Sequence, residues 1–220
     1  LLEKAGPTAQ MKLADKTYLL SALDELYQLT GDSLLLSRAG EIAATFTVET
    51  AQTWFDPRMY PMLPDLAIAL HYYGWLAEDK PAKDAARYIT DHLLNYGPSL
   101  PVLDQVRLVY ANEIVHSKCI HAAVIGAPDD PKIPDFLSAA LEGWDPRKIA
   151  QALDPTTDAE LIDAKGYSAQ TSAVTYICID DVCYAPCRDA AKIKETIEQA
   201  VKDLQAEVNG MSAPKSAPAS

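Results

Sequence analysis

Four cysteines are the residues best suited to chemistry: Cys119, Cys178, Cys183 and Cys187. A thiolate can exchange disulfides, attack an electrophile or hold a soft metal. If Asp180-Asp181 forms a two-residue turn, Ile179 pairs with Val182 and Cys178 faces Cys183. That second pair sits at a non-hydrogen-bonded site, where opposed Cα atoms lie ~4.5 Å apart and within disulfide reach. The expected redox-capable set is Cys178, Cys183 and Cys187, as a cross-strand disulfide or a dithiol. Reduced cysteines packed as small apolar side chains are the alternative. Neither Cys-x-x-Cys nor Cys-x-x-Cys-His occurs.

His116, Cys119 and His121 lie close in sequence, and the hairpin thiols could approach them, a donor set that suits zinc. The hairpin cysteines are separated by four and then three residues, which fits no standard zinc or iron–sulfur spacing. No metal and no cofactor is therefore expected. Asp15, Asp24, Glu25, Asp65 and Asp104 are read as lying near helix ends or on solvated faces. Glycoside hydrolysis needs two carboxyl groups ~5–9 Å apart, and nothing in the spacing fixes such a pair. Gly-rich phosphate loops, Gly-x-Ser-x-Gly and His-Glu-x-x-His are all missing, so no catalytic residue is assigned.

Aromatic residues suggest contact rather than catalysis. His71-Tyr72-Tyr73-Gly74-Trp75 places four rings within one and a half helical turns, too many for one face. Tyr73 fits the inner stripe, which leaves Tyr72 or Trp75 for another surface. Together with Trp54, Phe55 and Tyr60 of the proline-marked connector 54–64, they form the expected protein interface. Local packing of the connector over the helix pair is the competing expectation.

The elements that position these residues follow from periodicity. Apolar residues at helical spacing predict helices over 13–30, over a stretch carrying Leu35, Ala39, Ile42 and Phe46, and over one carrying Leu66, Leu70, Tyr73 and Ala77. A fourth carries Ala85, Ala86, Ile89 and Leu93, and a fifth places Leu103, Val106 and Tyr110 on its inner stripe. A shift of 47 residues lays the first helix pair on the second: Leu23 on Leu70, Asp32 on Asp79, Ala39 on Ala86, Ile42 on Ile89. That period suits stacked helical hairpins, as in solenoids or α/α toroids.

After Val115 the pattern changes. Strands are predicted over 120–125, 148–153, 174–179 and 182–185, with helices over 130–144 and 189–208. The fold class is mainly α, with helical-hairpin repeats over 1–115, a small α/β unit over 116–208, and a flexible Ala/Pro/Ser tail over 209–220. Nineteen Lys and Arg face 31 Asp and Glu, a net charge of −12, which repels phosphate backbones and argues against nucleic acid. An anionic membrane surface is disfavoured for the same reason, and no leader or bilayer-spanning apolar run is visible.

The segments LYQLTGD, HAAVIGAPDD and YICIDDVCYAP, followed by a final helix, resemble the C-terminal part of the thioredoxin-domain-containing, spermatogenesis-associated protein family. The resemblance spans 13–204 and is most specific at Tyr176-Ile177-Cys178, Cys183 and Pro186. It implies an α/α toroid related to sugar epimerases and six-hairpin glycosidases, closed by a small α/β segment. The family's N-terminal thioredoxin-like domain is missing, and two or three hairpins do not close a six-hairpin ring. The chain thus reads as a truncated, diverged copy. The expected function is a non-catalytic accessory or scaffold subunit that contacts other protein subunits. Alternatives are a carbohydrate-active toroid remnant and a thiol redox or metal module.

Overall fold

A computed structural model describes residues 11–51, 53–56, 58–170, 172–208 and 210. Two compact units divide the chain: residues up to Tyr27 with Asp32–Ser117, and Gln28–Gly31 with the residues from Lys118 onward. Of the expected tail, all but Gly210 lie outside the described residues. Among the described residues no helix is long and apolar enough to cross a membrane.

The first unit is helical: α1 (Leu13–Thr30), α2 (Ser33–Ala43), α3 (Val48–Ala51), α4 (Leu63–Leu76), α5 (Lys80–Leu94) and α6 (Val102–His116). Asp32 caps α2 by accepting from the Leu34 N–H at 3.0 Å, and Asp79 caps α5 by accepting from the Ala82 N–H at 2.8 Å. These two residues are equivalent under the 47-residue shift, and each frees its helix of an orphan donor. Leu23, Ala39 and Ile42 share one core with Leu70, Ala86 and Ile89.

Helix α6 turns the other way from expectation. Asp104, Leu108, Ala111, Ile114 and Val115 are buried, while Leu103 is 66% exposed and Val106 60%. The helix is apolar on both faces, so its period alone cannot say which face turns inward.

The second unit contains β1 (Ile120–Ile125), α7 (Ile133–Leu141), β2 (Lys148–Leu153), α8 (Ala159–Ala164), β3 (Val174–Ile179), β4 (Val182–Cys183) and α9 (Ala190–Val208). The sheet order is β2-β1-β3-β4. β1 runs parallel to β2 and antiparallel to β3, and β3 is antiparallel to β4. Strand alternation divides the packing. Ala122, Val124 and Ile177 pack with α7 and α9, whereas Ala123, Ile125 and Val174 pack with Ile162 of α8. Sequence periodicity foresaw α7 and α9 but not α8, whose six residues bury only Ile162.

Candidate functional site

The hairpin forms in the expected register, with Cys178 opposite Cys183 and Ile179 opposite Val182. Tyr184 N–H donates to Ile177 O at 2.9 Å, which makes the Cys178/Cys183 pair a non-hydrogen-bonded one. Its Cα atoms are 3.9 Å apart and the two sulfurs form a disulfide. Asp180 takes a left-handed φ of 48°, a conformation that Asp tolerates better than most residues. Its backbone N–H donates to Cys119 O and its carboxylate accepts from the Cys119 N–H, both at 2.9 Å. The turn is thereby tied to the start of β1.

The two sulfurs have different surroundings. Cys178 is 1% exposed, in the middle of the sheet. Cys183 is exposed, on the two-residue edge strand β4. On the same face, β1 places His121 opposite Cys178. His121 Nε2 lies 3.0 Å from Gln151 Oε1 of β2, and Nδ1 lies 2.9 Å from Tyr167 Oη. Tyr167 arrives by a local device. Gly166 closes α8 with a φ of 71°, and Tyr167 N–H donates back to Ile162 O at 3.0 Å. The ring then stacks on Tyr176, centroids 4.9 Å apart, and its hydroxyl reaches Cys178 Sγ at 3.5 Å. Sequence reasoning found the cysteines but missed Tyr167 and Gln151. The one legible hint was Gly166, a residue that commonly stops helices.

Cys187 does not join this pair. It is reduced and buried on the face that packs with α7 and α9, with Sγ 3.4 Å from Thr196 Oγ1. Its backbone bridges to Thr175 through two hydrogen bonds of 2.8 Å. Cys119 is also reduced and buried. His116 belongs to the first unit, with Nε2 3.0 Å from Thr90 Oγ1 and 3.3 Å from Asp91 Oδ1. Among the described residues no three His, Cys, Asp or Glu side chains gather as metal ligands would.

The aromatics named as an interface are half-buried or buried within the first unit. Trp54 packs edge-on against Phe46 at 5.0 Å, Phe55 lies over His92 at 3.6 Å, and Tyr60 meets Tyr96 at 5.7 Å. Tyr72 and Trp75 flank His71. Lys83 Nζ lies 4.1 Å above the Trp75 ring and pairs with Glu78 at 2.8 Å. His71 is buried, and that burial, with Lys83 and Arg87 nearby, pulls its pKa down to about 3, so the ring is neutral.

The carboxylates also differ from expectation. Asp24 is 1% exposed rather than solvated, and Asp104 is buried at 9%. None of the family models, curated proteins or solved structures compared with this chain matches it.

Proposed function

We propose that the chain is an accessory subunit that docks another protein subunit on the outer face of α6. One observation carries this reading: Val102, Leu103, Val106, Val109 and Tyr110 are 75, 66, 60, 65 and 43% exposed on a single helix. They recur at helical spacing and form a stripe, with the inward Leu108 and Ala111 on the opposite side. Scattered surface leucines need no explanation, but a continuous apolar helix face is what helix-in-groove recognition uses.

The repeat reading and the resemblance to the spermatogenesis-associated family belong to the same proposal. Equivalent caps at Asp32 and Asp79, and buried pairs such as Ile42 and Ile89, support a duplicated hairpin of the kind toroids stack.

The test is the native mass of the chain as isolated from its source. A species well above 23.9 kDa is expected, returning to the chain mass in the double variant Val106→Asp/Val109→Asp. Both positions are exposed, so folding is expected to change by no more than about 0.5 kcal/mol each. Recovery of wild type and variant alike at the chain mass defeats the proposal, as does an assembly indifferent to both substitutions.

A further inference from the structure

The Cys178–Cys183 disulfide is asymmetric in ways that matter for exchange. Attack on a disulfide requires access to one sulfur and departure of the other, and a better-stabilised leaving thiolate departs faster. Cys183 is the exposed residue of the pair, on an edge strand beside the exposed Val182. Cys178 is the buried one, and the Tyr167 hydroxyl is aimed at it from 3.5 Å. The Tyr167 proton has a second claimant in His121 Nδ1 at 2.9 Å. With Gln151 Oε1 as acceptor, Nε2 carries the ring proton, so in the oxidised state Nδ1 accepts from Tyr167.

We propose that Cys178–Cys183 is a thiol–disulfide exchange site, with Cys183 as the attacked sulfur and Tyr167 as the group that receives Cys178. The co-reactant is a dithiol. One of its thiolates attacks Cys183 Sγ; a new S–S bond forms between them as the Cys178–Cys183 bond breaks. The electron pair of the broken bond goes to Cys178 Sγ. Tyr167 turns its O–H from His121 to the new thiolate, and His121 takes up a proton at Nδ1 and donates to Tyr167 Oη. The second thiolate of the co-reactant then attacks the mixed disulfide at its own sulfur and expels Cys183. The co-reactant leaves as a disulfide; Cys183 takes a proton from solvent and Cys178 stays a thiolate held by Tyr167, with the second proton on His121 Nδ1, so the two electrons and two protons given up by the dithiol are accounted for. Tyr167 touches the reacting sulfur; His121 acts through it as a positioning residue, and Gln151 sets its tautomer. The tie between Asp180 and Cys119 keeps the hairpin in place while the sulfurs are apart.

The experiment follows reduction of the folded chain by dithiothreitol, with alkylation and mass measurement at intervals and circular dichroism to confirm that the fold persists. Two thiols are expected to appear without unfolding. In Tyr167→Phe the rate is expected to fall about tenfold, while alkylation of Cys183 in the already reduced protein keeps the wild-type rate. His121→Asn, which leaves a polar atom near the Nδ1 position, is expected to slow exchange less than His121→Leu. Cys178→Ala is expected to form a mixed disulfide with oxidised glutathione at Cys183, and Cys183→Ala to form none at Cys178. A disulfide that yields thiols only on unfolding overturns the proposal. So does a Tyr167→Phe protein reduced at the wild-type rate, or equal trapping at both cysteines.

Discussion

Asp24 sets a residue-scale problem of its own. Both its carboxylate oxygens are buried without a hydrogen-bond partner, and burial, reinforced by neighbouring Glu25, raises its pKa well above the usual carboxylate value. Tyr73, pushed up to about 12 by burial with Asp79 and Asp24 nearby, adds no cation that would offset this. Unfolded Asp24 loses its proton near 3.8, whereas the folded carboxyl keeps it to higher pH. The unfolded state therefore binds fewer protons over that window, and stability falls as pH rises through it. Asp24→Asn keeps the shape and removes the titration. It is expected to stabilise the chain by about 1–3 kcal/mol at pH 7, with the gain fading as pH falls toward 4, as read by denaturant midpoints at both pH values. A variant less stable than wild type at pH 7 contradicts this account. The sequence could not reveal this burial, because an acid on an amphipathic helix is ordinarily solvated. It did reveal the Cys178/Cys183 pairing, because a two-residue turn leaves only one register. His121 and Tyr167 meet across 46 residues of chain, and no local pattern encodes that meeting.

Elements pack here through small residues, and Gly74 marks a close approach between α4 and α5. A Cβ at Gly74 would come within 2.6 Å of Lys83 Cγ and 3.1 Å of both Asp79 O and Lys83 N. The side chain can move, but the two backbone atoms hold the start of α5 and its Asp79 cap. Overpacking of this kind costs about 1–3 kcal/mol, against a helix-propensity gain of about 1 kcal/mol for replacing glycine. Gly74→Ala is expected to lower the urea midpoint at unchanged slope, and a raised midpoint would show that α5 yields freely. The sequence did not mark this approach, since the equivalent of Gly74 under the 47-residue shift is the bulky Tyr27. Strand β1 was readable to the residue, because a short, mostly apolar run ended by a turn signal has few other uses. Helix α6 was not, because a helix with two apolar faces offers periodicity no choice, and the structure turns Leu108 and Ala111 inward instead of Leu103 and Val106.

At the scale of the molecule, the net charge of −12 and the apolar face of α6 pull in different directions. Which surface is left for a partner depends on which face of α6 turns inward, and the sequence did not show that. A docking contact made by a basic partner against 31 carboxylates would weaken sharply with salt. A contact made by Val102, Leu103, Val106 and Val109 would not, because burial of apolar surface is insensitive to screening and is favoured by excluded salts. Ionic strength therefore separates the two. At about 0.5 M sodium chloride the screening length drops to roughly 4 Å, short enough to silence charges spread over a surface. The high-mass species is expected to persist, or tighten, between about 0.05 and 0.5 M salt, and to dissociate in Val106→Asp/Val109→Asp at both. Dissociation of the wild-type assembly by salt alone would place the contact on the acidic surface and take α6 out of it.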